Sequence, residues 1–377
     1  MRGGAAPDLC GGFAQGQCGG VTWPHPCRYH GRSVGDENSM LAAHNRILRC
    51  LYLACLVAGL CALGPGGRPD VQARRSVAMR HVTLILDFLP NAGHIGIFHA
   101  LRAGYYQRAG IDLSVIQPTS TSDTLKLIAS GAADFGIADG IDVAGQIDQG
   151  RDAQAIMAVV QRPLVGLITL AKANISSAKQ LEGKTIGITG VPSDTVTAKT
   201  ILAHAGADYR KVTVVTIGFN GVQDLENGKI AAFTGFWPAD GVQAQVSGFP
   251  VRSFKLDENG GPRYPGLVLF TTRAHIVADP TLMREFVAAT VHGYDDALRD
   301  PARGLDDLLA ESPLLKRVLT RAQLDQYLPL FRAAAPRYGL IDGAAIRNLS
   351  TFLRRNGLIR AAIDPARYGT NRFVPAR

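Results

Sequence analysis

Residues Val82–Tyr106 read V-T-L-I-L-D-F-L-P-N-A-G-H-I-G-I-F-H-A-L-R-A-G-Y-Y, and no other stretch restricts the chain as much. Val82 to Leu86 are consecutive strand-favouring residues, the pattern of a fully buried strand. Pro90 ends that strand, because proline donates no ladder hydrogen bond and holds Leu89 extended. From Gly96 to Tyr106 the spacing turns helical, with Ile97, Ala100, Leu101 and Tyr105 on one face. Asp87, Phe88, Asn91, Gly93 and His94 fall in the loop between. In open α/β sheets the carboxyl end of a strand is where ligands bind, so Asp87, Phe88, Asn91 and His94 are candidate contacts. Taken singly, Asn91 and Gly93 also fit an ordinary turn after proline, and a lone His94 also fits a structural role.

The same unit recurs along the chain. Strands are expected at 111–117, 134–138, 155–160, 164–170, 185–189, 212–217, 230–233, 251–254 and 267–272. Between them come helices at 123–130, from Asp139 to about Gln149, at 195–204 and at 222–227. Short apolar strands alternating with helices predict α/β architecture, each sheet mostly parallel and flanked by helices. The Thr119–Asp123 loop offers Ser120 and Thr121, and Asp139 opens a helix. In Gly190-Val191-Pro192-Ser193-Asp194, Ser193 or Asp194 can cap a helix beginning at Thr195, leaving other first-turn N–H groups for ligand atoms. Asn220 follows the next strand. Trp237, between a strand and Pro238, either plugs the rim of a lobe or offers a stacking plane to a flat ligand. The chain leaves the first lobe at Gln161-Arg162-Pro163 and returns through the Gly/Pro-rich run 257–265, which carries Tyr264. The expected lobes are therefore 80–163 with 267–377, and 164–266, hinged by two crossings. Beyond Asp279 the pattern is helical.

Several of these phrases carry a family resemblance. D-F-x-P-N-x-x-H-x-G-x-x-x-A at 87–100, followed by G-Y-Y, resembles the periplasmic solute-binding proteins and pyrimidine synthases typified by the thiamine-pyrimidine-precursor binders of ABC transporters. Q-R-P-L at 161, L-x-G-K-T-I-G at 181, T-G-V-P-S-D at 189, G-F-W-P-A at 235 and Y-P-x-L-V-L at 264 extend the likeness from Val82 to roughly Leu358. The resemblance implies a type II periplasmic-binding-protein fold with a cleft that closes on a small ligand. It also implies an ABC permease and ATPase as partners, with docking at the membrane surface through the permease.

The amino-terminal part reads differently. Residues 40–73 have the three-part layout of a signal peptide: a basic start with His44, Arg46 and Arg49, an apolar run from Ile47 to Leu63, and small residues near 71–78. Translation is expected from Met40, with 1–39 an upstream extension that is not native. Leu60 before Cys61 lacks the small residue that lipidation requires, so a lipid anchor, like a single-span anchor, is the lesser alternative. All six cysteines lie at or before Cys61, so the exported chain needs no disulfide. Removing six basic and four acidic residues of 1–73 from totals of 40 and 31 leaves 34 and 27, a net +7. The basic residues are scattered and no aromatic-interleaved basic stripe occurs, which argues against nucleic-acid binding.

No G-x-S-x-G elbow, H-E-x-x-H helix or phosphate-cradling G-x-x-x-x-G-K-[ST] occurs, and the histidines are dispersed. No catalytic residue, metal or cofactor is expected. The synthases of the resembled family use a cysteine-rich iron-binding motif and a cofactor lysine, and the cysteine-free exported chain departs from that pattern. The expected protein is a monomeric extracytoplasmic binder of a small heteroaromatic such as a thiamine pyrimidine precursor. Riboflavin and a sulfonate-like anion are the alternative ligands, and pyrimidine synthesis the lesser alternative activity. Phe88 and Trp237 would sandwich the ring, while Asp87, Asn91, Asp139 and Asp194 would accept from its N–H and amino groups.

Overall fold

The computed structural model describes residues 79–332 and 337–376. The upstream extension and leader expected at 1–39 and 40–73 lie outside the described residues. Among those described, no helix is long and apolar enough to cross a membrane.

Strand β1 spans Arg80–Ile85, and its apolar residues from Leu84 onward are fully buried. A 3₁₀ turn at Ala92–His94 leads into helix α1, Ile95–Arg102. The helix expected to run to Tyr106 instead stops there, because Gly104 takes a left-handed φ of 73°, and only a single turn follows at Tyr105–Arg108. The remaining first-lobe elements are β2 (Ile111–Ile116), α2 (Asp123–Ser130), β3 (Phe135–Asp139), α3 (Gly140–Asp148) and β4 (Ala153–Val160). The second lobe holds β5 (Val165–Leu170), β6 (Thr185–Ile188), α4 (Pro192–His204), β7 (Thr213–Thr216), α5 (Gly221–Glu226), β8 (Ala232–Phe236), α6 (Val242–Val246) and β9 (Val251–Lys255). Strand β10 (Leu267–Thr272) returns to the first sheet, and helices α7 (Pro280–Arg299), α8 (Pro301–Glu311), α9 (Arg317–Tyr327) and α10 (Gly343–Arg355) follow.

The strand orders are β2-β1-β3-β10-β4 and β7-β6-β8-β5-β9, so both lobes share one topology. In each sheet the strands joined through helices pair in parallel, β1 with β2 and β3, and β6 with β7 and β8. The crossing strands add antiparallel pairs: β10 runs against β3 and β4, and β5 against β8 and β9. Both sheets are therefore mixed, since a strand arriving from the other lobe enters from the opposite end. The carboxyl ends of β1, β3, β6 and β8 all lead into loops that meet at one cleft.

The carboxy-terminal helices fix the first of these loops. Helix α7 packs on α1 with almost no gap, since a Cβ at Gly293 would lie 2.2 Å from the Gly96 carbonyl oxygen. Tyr294, fully buried, donates its hydroxyl to the Gly93 carbonyl at 2.8 Å. Such an enclosed polar contact holds the loop in one place.

Candidate functional site

The strand-end loops of the two sheets line one cavity. Its walls hold Asp87, Asp139, Asp142, Asp194 and Asp240, together with Thr121, Thr124, Thr189 and Thr234. Phe88 and Phe236 supply aromatic surface, and no lysine or arginine lines it among the described residues.

Asp87 follows β1 and is oriented by His94. The Asn91 backbone N–H donates to His94 Nδ1 at 3.2 Å, so the proton of the neutral imidazole sits on Nε2. Nε2–H then donates to Asp87 Oδ1 at 2.8 Å. Asn91 in turn caps the 3₁₀ turn, accepting from the Gly93 N–H at 2.8 Å. Thus His94 and Asn91, both buried, act behind Asp87, leaving its second oxygen to the cavity.

Asp139 ends β3 and accepts from the Ile141 N–H at 2.7 Å, capping α3. Tyr264, buried on the second crossing, donates to the same carboxyl at 3.2 Å. Asp142 lies one turn later and accepts from the Ser193 N–H at 2.9 Å and the Ser193 hydroxyl at 3.0 Å. Helix α4 begins at Pro192, not Thr195, because proline at the first helical position supplies the helical φ without costing a donor. Ser193 and Asp194 therefore sit inside the first turn. Asp194 reaches back to accept from the Gly190 and Val191 N–H groups at 2.7 and 2.9 Å, which leaves those donors occupied. Asp240 accepts from the Phe236 N–H at 2.7 Å.

Enclosure dominates the acidity of this cluster. Burial first, then the Asp142 and Asp87 charges, holds the Asp139 carboxyl well above its ordinary range. Burial lifts Asp142 to about 7 and Asp240 to about 6, and also raises Asp194. The unfolded groups titrate near 3.9. Between that value and about 7 the folded chain holds more protons than the unfolded one, so stability declines as pH rises through this window. The ligand-free protein should melt at a higher temperature at pH 5 than at pH 8. A midpoint that climbs from pH 5 to pH 8 would contradict this ionisation pattern.

Of the residues singled out from sequence, Asp87, Phe88, Thr121, Asp139, Ser193 and Asp194 line the cavity together. The structure places Ser120 beside it, its hydroxyl and N–H spent on Asp123 at 2.6 and 2.7 Å. Gly190 and Pro192 shape the turn into α4, and Asn220 is exposed at the start of α5. Trp237 lies outside the cavity lining. Its backbone N–H donates to the Leu164 carbonyl at 3.0 Å beside the first crossing, its side chain packs in the hydrophobic core, and Lys255 Nζ stands 4.2 Å from its ring centroid. Phe88 meets Phe219 edge-on at 4.8 Å instead of facing Trp237. Sequence reasoning missed Asp142 and Asp240. Their signals, D-x-x-D at 139–142 and the aspartate ending W-P-A-D, are legible only once the cleft is known.

Among curated proteins, the chain is 28% identical over 247 residues to a formylaminopyrimidine-binding protein of Halalkalibacterium halodurans, covering 64% of this chain and 75% of that one. It is 28% identical to the riboflavin-binding protein RibY of Chloroflexus aurantiacus, covering 83% and 91%. It is also 26% identical to the 4-amino-5-hydroxymethyl-2-methylpyrimidine phosphate synthase THI12 of Saccharomyces cerevisiae, covering 67% and 77%. In fold it matches the periplasmic aliphatic sulphonate binding protein SsuA of Escherichia coli with a TM-score of 0.60 at 13% identity, covering 76% and 91%. Binding proteins and synthases thus share this scaffold. The family model described as NMT1/THI5 like matches residues 91–304, more than half of the sequence, and the chain belongs to the NMT1/THI5-like family.

Proposed function

We propose that the protein is the extracytoplasmic substrate-binding component of an ABC importer and takes a small, neutral or cationic heteroaromatic such as a thiamine pyrimidine precursor. The observation that carries this reading is the cleft itself, with five carboxyl groups and, among the described residues, no basic side chain on its walls. An aminopyrimidine presents ring and exocyclic N–H groups, or a ring cation, to such acceptors. A sulfonate-like anion would find no cation to pair with among the described residues of these walls. Riboflavin remains the alternative ligand, supported by the likeness to RibY. A binder is favoured over a synthase because no lysine lines the cavity among the described residues and every cysteine precedes residue 62. In this reading 80–163 with 267–377 form one lobe, 164–266 the other, and they close about the two crossings to deliver ligand to a permease outside the cytoplasmic membrane.

Isothermal titration with 4-amino-2-methylpyrimidines, riboflavin and methanesulfonate tests the proposal. A saturable heat is expected with a pyrimidine and none with methanesulfonate. Asp87→Asn should weaken pyrimidine binding by about 1.5–3 kcal/mol, the loss of one charge-assisted hydrogen bond. Preference for methanesulfonate, or turnover of the pyrimidine, would overturn the reading.

A further inference from the structure

Away from the two crossings, four side-chain contacts join the lobes among the described residues, one of them the Gln323 amide donating to the Ala239 carbonyl at 3.2 Å. Phe88 meets Phe219, the Thr121 hydroxyl donates to the Thr189 carbonyl at 3.0 Å, and Asp142 takes both the N–H and the hydroxyl of Ser193. We propose that Asp142 is a positioning residue that latches the two lobes, holding the first turn of α4 against the first lobe whether or not a ligand is present. The inference rests on reading the cleft as one that closes about the crossings.

Geometry favours Asp142 over the other three contacts. It makes two hydrogen bonds to one residue, both partners are buried, and α4 is a 13-residue helix whose N-terminal end attracts a carboxylate. Asp194 satisfies the donors of the preceding turn from within the second lobe, whereas Ser193 finds its acceptor only on the facing one. Parting the lobes would hand Ser193 and Asp142 to water.

The latch is built to work in two protonation states. Asp194 faces it from α4, Asp139 from the end of β3, and the phenols of Tyr264 and Tyr368 from the second crossing and the carboxy-terminal turn. No cation stands among these groups. As a carboxylate, Asp142 accepts both bonds. Once protonated, Oδ1 still accepts from the Ser193 N–H, while the new O–H donates to the Ser193 hydroxyl, which can act either way. In an opened cleft, where water solvates it, the carboxyl would titrate near 3.9, whereas burial in the closed one lifts it to about 7. Closing therefore takes up a proton, and the closed form gains as pH falls from 8 towards 5.

Small-angle scattering of the full chain without ligand tests this, so its outcome is independent of ligand identity. Wild type should be more compact at pH 5 than at pH 8. Asp142→Ala should show a larger radius of gyration at both values. Asp142→Asn keeps an acceptor for the Ser193 N–H, so it should stay compact and lose much of the pH difference. Thr121→Val serves as the cross-cleft control and should scatter like wild type. An Asp142→Ala protein as compact as wild type would overturn the latch. If that variant does not fold, the Asn variant decides, and an undiminished pH difference in it would likewise overturn the proposal. Failure of wild type to bind any ring ligand in the titration sinks the transport reading without touching this result.

Discussion

Gly266→Ala is expected to lower stability by about 3 kcal/mol, near the upper end of the cost of overpacking a close contact. A Cβ there would stand 2.2 Å from the Arg162 carbonyl oxygen, 3.0 Å from its carbonyl carbon and 3.1 Å from the Pro163 Cα. These atoms are the backbone of the other crossing, so no side-chain rotation relieves the clash. Both crossings must part, and they are also tied together by charge. Arg162 donates to Asp257 at 2.6 Å and to Glu258 at 2.8 Å, and Asp257 is buried. Spreading the backbones stretches a pairing whose loss leaves a buried carboxylate uncompensated. For a chain of this size the expected drop in melting temperature is about 5 °C. Because the insertion falls where the lobes join, ligand-free scattering should also shift. Melting identical to wild type would show that the crossings accommodate a methyl group, contrary to the close approach.

Much of this architecture is legible in the sequence because turn chemistry and apolar runs agree. Helix 123–130 and strand 267–272 fall at their expected bounds, the helix stopped by Gly131 and the strand led by Pro265 and Gly266. The two crossings show as interruptions between apolar runs, Gln161-Arg162-Pro163 and the Gly/Pro-rich 257–265. Local chemistry reads less well where two signals compete. At 190–195 the G-V-P-S-D phrase marks a helix start, but the proline draws the helix three residues earlier than the serine and aspartate suggest.

The site divides in the same way. Asp87, Asp139 and the Ser193–Asp194 pair are legible because they stand at strand ends, where topology alone brings loops together. Asp142 is not, since one turn into a helix an aspartate reads as part of a solvated face until α4 is seen packed against it. Trp237 illustrates the converse. Its position after a strand and before a proline fits a rim equally well as a wall, and only the path of the first crossing beside Leu164 places it. His94 carries a signal for its place in the loop but none for its partner, because the bond to Asp87 depends on how the 3₁₀ turn folds back.

Asp194→Ala should be the most damaging single change in the cleft. The carboxyl is buried and accepts from four donors: the Thr189 hydroxyl at 2.9 Å, the Gly190 and Val191 N–H groups, and the Thr234 hydroxyl. Two of these are backbone groups that cannot turn elsewhere, and each unsatisfied donor costs about 1–3 kcal/mol. The raised acidity range of Asp194 works the other way, because burial already penalises its charge and alanine removes that penalty along with a repulsion felt by Asp142. The donors outweigh it, since four partners are lost against one desolvated charge, and the net expectation is a loss of about 3–5 kcal/mol. Asp194→Asn retains one carbonyl oxygen for the backbone pair and should lie between wild type and alanine in melting temperature. Binding should follow the same order, because the turn 189–191 forms part of the cavity wall and loses its anchor with the carboxyl. Thermal melts and titrations of the three proteins measure both quantities together. Equal melting of Asn and Ala variants, with affinity unchanged in either, would remove Asp194 as the organiser of that wall.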